Sequence, residues 1–267
     1  MQESNAPLTA RSVLASALLG EEPPELPVAH LVHLAGLFGI NENRARVALS
    51  RMVRAGEVVT DGSGRYRLTG HLLDRRDRQE ASRRGETGPW RGGWAIVVVT
   101  ETGAAPEERS ARRRQLVRAR LGERREGVWL RPDNITLAPD PADDAGVTVF
   151  TGRPASDPAQ LAALLWDLAG WAEGAADLLR RMADLRPSGP DDLAPGFVLS
   201  ASVLRHLQAD PLLPVELLPV GWPGPDLRRA YTAWDARYRR VLVEWGRSAT
   251  GTGTGTGTGP APVRARP

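Results

Sequence analysis

Cysteine is absent from the 267-residue chain, and so is lysine: every one of its 35 basic residues is arginine. Without thiols there is no disulfide, no thiolate nucleophile and no Cys-ligated metal. The lysine gap accounts for a sequence pI of about 10.1 beside a formal net charge of only +3, because guanidinium titrates too high to draw the pI down. The alkaline pI is therefore no sign of a nucleic-acid partner, and only local clustering of charge counts. No apolar run approaches the roughly 20 residues of a membrane span. The opening MQESNAPLTA lacks the basic and apolar regions of a signal peptide. A cytoplasmic protein of two or three small domains, with no membrane contact, is expected. P-loop, G-x-S-x-G and H-E-x-x-H patterns are also missing. No catalytic residue, metal site or cofactor is assigned, and the chain is not read as an enzyme.

What is present begins with punctuated helices. Thr9 is placed to cap a helix whose Val13, Leu14, Ala17 and Leu18 share a face and which Gly20 ends. The segment EEPPELP breaks the chain. A second helix from about Pro27 buries Leu31, Leu34 and Ala35 or Phe38 and stops at Gly39. Asn41 caps a third, which buries Ala45, Ala48, Leu49 and Met52 and stops at Gly56. EVVTDGSGRYRL then reads as two strands around a glycine-containing turn. Three helices followed by a hairpin is the order of a winged helix-turn-helix.

The charged stretch from His71 to about Pro89 reads as a short helical extension and a linker. GGWAIVVVT (strand), APEERSARRRQLVRARLG (arginine-rich helix), EGVWLRP and GVTVFTG (strands) follow, an order that suggests a small ferredoxin-like unit. Between Asp157 and Leu185 apolar residues recur in heptad steps from Leu161 through Leu168, Trp171 and Leu178. Both a coiled-coil seam and globular helices fit, since Gly170 and Gly174 weaken one continuous helix. A last helix runs through Leu227, Tyr231, Trp234 and Tyr238, and the Gly-Thr repeat after it is low complexity. The fold class expected is α+β: disordered residues 1–8, a winged helix-turn-helix over 9–73, a linker over 74–89, a ferredoxin-like domain over 90–168, a helical C-terminal domain over 169–247, and a disordered tail over 248–267.

On the third helix the core positions leave Asn43, Arg44, Arg46, Val47, Ser50, Arg51 and Arg54 outside. Between Asn41 and Leu68 six arginines stand against Glu42, Glu57 and Asp61, a local excess in a nearly neutral chain. Guanidinium pairs bidentately with guanine O6 and N7 or with phosphate oxygens, and Asn43 and Ser50 bond either. Arg65 and Arg67, on the second strand of the hairpin, suit backbone phosphates. These nine residues are the candidate DNA contacts; a solvated helix face in an arginine-using chain is the plainer alternative.

ARSVLASALLG, LVHLAGLFGINENRARVALSRMVRAGEV, GRYRLTG, WAIVVVT, REGVWLRPDN and LRHLQADPLLPVELLPVGWPGPDLRRAY occur in that order, and together they closely resemble the PaaX family of bacterial transcriptional repressors. The resemblance runs from about Ala10 to Tyr238. It implies a homodimeric winged-helix repressor of double-stranded operator DNA, of the kind that controls phenylacetate catabolism and is released by phenylacetyl-CoA. Arg46, Val47, Ser50 and Arg51 fall on the family's R-T-A-L-S-R recognition-helix pattern, with Val47 in place of the usual Thr. A valine methyl still reaches a thymine methyl.

For an aryl- or acyl-CoA effector the candidates are Trp94, Trp129 and Trp166 for the acyl group, Arg112 and Arg113 for phosphates, and His206 within the LRHLQADPLLP segment; each also reads as ordinary core packing or solvated charge. The middle domain of that family is similar to small CRISPR-associated endoribonucleases, and a metal-dependent nuclease using Glu101 is one rival reading. A protein-binding module is another. His30 and His33, spaced i, i+3 with no third ligand, read as half-buried imidazoles.

Overall fold

The structure, a computed structural model, describes residues 9–138 and 140–251, except for the side chains of residues 247–251. The N-terminal tail and almost all of the Gly-Thr repeat lie outside the described residues. The protein is mixed α/β with antiparallel sheets and a helical C-terminal part. No described helix is long and apolar enough to cross a membrane.

The chain forms two compact units, each discontinuous in sequence. One comprises residues up to Leu72, Arg186–Phe197 and the chain from Trp234 on; the other comprises Leu73–Leu185 and Val198–Ala233.

In the first unit α1 (Ala10–Leu19), α2 (Val28–Gly36) and α3 (Glu42–Arg54) pack on one another. Thr9 Oγ1 accepts from Ser12 N and Asn41 Oδ1 accepts from Arg44 N, so both expected caps are in place. Gly56, at φ of +66°, directly follows the Ala55 cap of α3, whereas α2 ends at Gly36, three residues before the expected Gly39, which takes φ of +68° in the turn that follows. Val13, Leu14, Leu18, Leu31, Leu34, Leu49 and Met52 form the buried centre. Burying a Leu fully is worth roughly 1.5–3 kcal/mol, so this small core carries the packing of all three helices.

The unit's sheet holds a strand that local patterning missed. Glu25–Pro27, inside the supposed breaker, is β1, and it pairs antiparallel with β3 (Arg65–Leu68), which also pairs with β2 (Val58–Thr60), in the order β1-β3-β2. The start of α8 (Leu193–Gln208) and the end of α9 (Gly224–Gly251) complete the unit. Phe197 meets Phe38 edge-on at 4.9 Å, Tyr238 Oη donates to Leu193 O, and Trp245 stacks on His33 at 3.9 Å.

The second unit contains most of α4 (His71–Arg84), so much of the presumed linker is helical. Its sheet has the order β5-β6-β4-β7, from β4 (Trp94–Val99), β5 (Gly122–Arg125), β6 (Val128–Pro132) and β7 (Val147–Gly152). α5 (Pro106–Arg118) links β4 to β5. β5 lies outside the expected strands, because its residues Gly-Glu-Arg-Arg carry no apolar signal. Among the described residues, a 3-10 turn, Pro141–Asp143, is the only helical turn on the way from β6 to β7. Val97 and Trp129 pack with Leu116 of α5 on one face; on the other, Trp94 and Leu130 pack with Leu161 and Ala162 of α6 (Pro158–Leu165), Leu168 of α7 (Leu168–Asp184), and Leu213 and Leu217. The heptad run is not one helix. α6 ends before Trp166, Asp167 Oδ1 accepts from Gly170 N to start α7, and Leu164 is 66% exposed, which breaks any continuous seam.

Candidate nucleic-acid interface

α3 is built as a two-sided rod. Ala45, Ala48, Leu49 and Met52, at helical spacing, are buried. The residues between them, Asn43, Arg44, Arg46, Val47, Ser50, Arg51 and Arg54, are all exposed, Val47 by 42%. The buried row fixes the rotation of the helix, and the rotation fixes which side chains face solvent.

The exposed charges are not equivalent. Arg46 Nε is 2.7 Å from Glu42 Oε1 one turn back, a pair that orients the guanidinium but screens its charge. Ser50 Oγ donates to Arg46 O at 3.1 Å, which leaves its lone pairs free to accept, and Arg54 Nε bonds Ser50 O at 3.4 Å. Arg44, Arg51 and Arg67 make no ion pair among the described residues.

The hairpin follows directly. At its tip Asp61 accepts from Ser63 Oγ at 2.6 Å and from Ser63 N at 2.8 Å, bonds that hold its carboxyl below the usual range. Gly62 and Gly64, at φ of +80° and +86°, make the tight turn. On β3 the exposed Arg65 and Arg67 alternate with Tyr66 and the buried Leu68, so both arginines project from one face. Arg65 pairs with Glu25 of β1.

The joint between helix and hairpin is a charge cluster that sequence reasoning missed. Glu57, buried between α3 and β2, accepts from Arg11 Nε at 2.9 Å and from Arg11 Nη2, with His71 Nε2 3.7 Å away. Arg11 holds the Glu57 carboxyl below its ordinary range. Glu57 N donates to Met52 O and Thr69 N to Glu57 O, both at 2.9 Å. One acidic residue of the local count is thus spent inside the fold, so the outward charge of the helix and hairpin is more basic than the sequence tally.

The six candidate effector residues lie in the second unit but do not surround one cavity. Trp94 and Trp129 are core side chains on opposite faces of the sheet. Trp166 packs beside the Trp94 cluster. Arg112 is shared between Asp144, at 2.8 Å, and Glu101. Arg113 pairs with Glu123 and lies over the Trp129 ring. His206 stacks on Trp171, its Nε2 2.9 Å from Trp171 O, and burial pushes its pKa down. A cleft of about 400 Å³ adjoins Arg112, but Asp140, Asp143 and Asp144 line it, an unsuitable wall for phosphate. Glu101, the nuclease candidate, has its carboxylate on Arg112. His33 stacks on Trp245, and burial lowers the pKa of half-buried His30. Among the described residues no three His, Asp or Glu side chains gather as metal ligands.

The segment LRHLQADPLLPVELLPVGWPGPDLRRAY is bonded into the second unit. Asp210 pairs with Arg228 at 2.8 Å, and Leu212 O accepts from Asn134 Nδ2 at 2.9 Å and from the fully buried Arg131.

Residues 9–72, from α1 through β3, match the family described as PaaX-like protein. Among solved structures, the uncharacterized protein Rv0674 from Mycobacterium tuberculosis is 42% identical, with a TM-score of 0.71 over 90% of this chain and 99% of that one. No curated protein matches the chain.

Proposed function

The chain belongs to the PaaX-like family, and from that premise we propose that it is a transcriptional repressor that binds operator DNA as a homodimer. The order α1-β1-α2-α3-β2-β3 with sheet order β1-β3-β2 supports a winged helix-turn-helix, with α3 as recognition helix and the β2–β3 hairpin as wing. The sheet order of the second unit supports a ferredoxin-like domain whose second helix is reduced to a 3-10 turn.

One observation carries the reading. α3 buries one complete row of small and apolar side chains and leaves on its other side Arg44 and Arg51, two guanidiniums without a carboxylate partner among the described residues. Arg51 and Arg46 are the base-reading candidates; Val47 offers a methyl to thymine, while Asn43, Arg44, Ser50, Arg54, Arg65 and Arg67 supply polar and phosphate contacts. The family resemblance further supports phenylacetyl-CoA or a related aryl- or acyl-CoA as the ligand that releases the DNA.

The test is affinity for DNA from upstream of the chain's own gene. Arg51→Ala is expected to cost about 1–3 kcal/mol and to relax sequence preference at one position. Unchanged affinity and preference in both Arg46→Ala and Arg51→Ala would remove α3 from the DNA.

A further inference from the structure

The chain passes between its two units at four points, and three of them fall inside helices: α4 crosses after Leu72, α8 after Phe197 and α9 after Ala233. A helix closed by its own hydrogen bonds moves as a rod. Whatever seats one end of these helices therefore bears on the other.

Within the second unit the three meet at one charged knot. Arg120, just beyond α5, donates from Nη2 to Ser82 Oγ of α4 at 2.8 Å and from Nη1 to the carbonyl of Gln208, the last residue of α8, at 3.1 Å. The same Nη1 reaches Asp210 O. Arg228 of α9 donates from Nε to Ser82 O at 3.0 Å, and its Nη2 lies 2.8 Å from Asp210 Oδ2.

The knot is closed against resistance. Among the described residues the non-glycine residues with positive φ are Arg120, at +62°, and Leu212, at +51°, and both belong to it. Arg131 donates to the carbonyls of both, to Arg120 O at 3.3 Å and to Leu212 O at 3.5 Å. Side chains are strained in this region, and such strain collects at clamps and switches, where neighbouring bonds enforce it. Burial, and after it the charge of Arg120, pushes the Arg131 pKa down to about 9.

In the first unit the other parts of α8 and α9 brace α2. Phe197 packs on Phe38, Trp245 stacks on His33, and Arg239 Nη1 donates to Gly20 O. α2 in turn packs on α3. Arg228 and Trp245 are joined by about 25 Å of continuous helix.

We infer that Arg120, Arg228 and Asp210 are positioning residues for DNA binding: they seat α4, α8 and α9 in the second unit and, through α8 and α9, set α2 and α3 in the first. None is among the nine candidate DNA contacts. The consequence for DNA rests on the proposed function; the coupling along the helices does not.

The experiment compares full-length wild type, Arg120→Gln and the milder Ser82→Ala by amide hydrogen exchange and by affinity for DNA from upstream of the chain's own gene over a salt series. Exchange is expected to quicken in residues 193–197 and 234–246 while β4 and β7 keep wild-type protection, a pattern that general destabilisation does not give. Affinity is expected to fall about tenfold in Arg120→Gln and less in Ser82→Ala, at an unchanged salt slope because no phosphate contact is removed. If Arg120→Gln does not fold, Ser82→Ala decides alone. Wild-type exchange in both segments overturns the inference, as does wild-type affinity in both variants of a chain that binds DNA. A shallower slope would make Arg120 a DNA contact and overturn it too. Quickened exchange in a chain that binds no DNA would end the DNA-binding reading and leave the coupling standing; DNA affinity with unmoved exchange would do the reverse.

Discussion

Arg11 Nε donates to Glu57 Oε2 at 2.9 Å, tying the first turn of α1 to the joint between α3 and β2. The pair sets how the hairpin leaves the helix, so it positions the proposed DNA contacts without belonging to them. Arg11→Ala would leave a buried carboxylate with only His71 near it. The expected cost is about 1–3 kcal/mol, toward the low end because Arg11 is solvent-exposed, read as a lowered urea midpoint.

The same pair sets a pH dependence. Arg11 depresses the folded-state pKa of Glu57, so the unfolded chain binds the proton more readily. The stabilisation is present above the ordinary glutamate value of about 4.3 and is lost as pH falls through the lower, folded value. Urea midpoints for the wild type are expected to fall over that range more steeply than for Glu57→Gln.

If α3 binds DNA as proposed, Glu42 competes with it for Arg46. Glu42→Gln removes the ion pair at 2.7 Å, and a guanidinium released to phosphate adds about one unit to the salt slope of DNA binding. Tighter binding at low salt with a steeper slope is expected; an unchanged slope would show that Arg46 stays off the phosphates.

Val47→Thr is expected to leave stability within about 0.5 kcal/mol, because the side chain is exposed. It adds a hydroxyl where the family pattern has one, so a selection from randomised DNA should show a changed preference at one position of each half-site and no change elsewhere.

Arg131 is fully buried, and its guanidinium is satisfied by Pro132 O, Arg120 O, Asn134 Oδ1 and Leu212 O. Arg131→Leu would strand those acceptors. A loss of about 2–4 kcal/mol is expected from several unsatisfied buried groups, measured by thermal unfolding, with release of the Asp210–Leu213 segment reported by faster amide exchange.

Much of this was legible locally. Asn41 caps α3 and Gly56 lets the chain leave it, and both signals lie within a few residues of the effect they cause. The buried row Ala45, Ala48, Leu49, Met52 follows from helical period alone, and with it the outward set that includes Arg51. What failed to show was nonlocal. β1 hides among prolines because its partner, β3, is 40 residues away. Glu57 counted as surface charge because Arg11, which neutralises it, is 46 residues upstream. The heptad run continued in pattern through Trp166, where the chain breaks, because periodicity does not register an Asp cap. Arg131 did not show as a core residue because two of the carbonyls that satisfy it, Arg120 O and Leu212 O, are 11 and 81 residues away.

The central claim is that α3 and its hairpin bind DNA, and titrating the full chain against its upstream DNA over 50 to about 200 mM salt tests it most directly. Sequence-selective binding whose logarithmic affinity falls linearly with log salt is expected, with a shallower slope for Arg44→Ala and weaker selectivity for Arg51→Ala. Salt-insensitive or absent binding, to this and to random DNA alike, would contradict it.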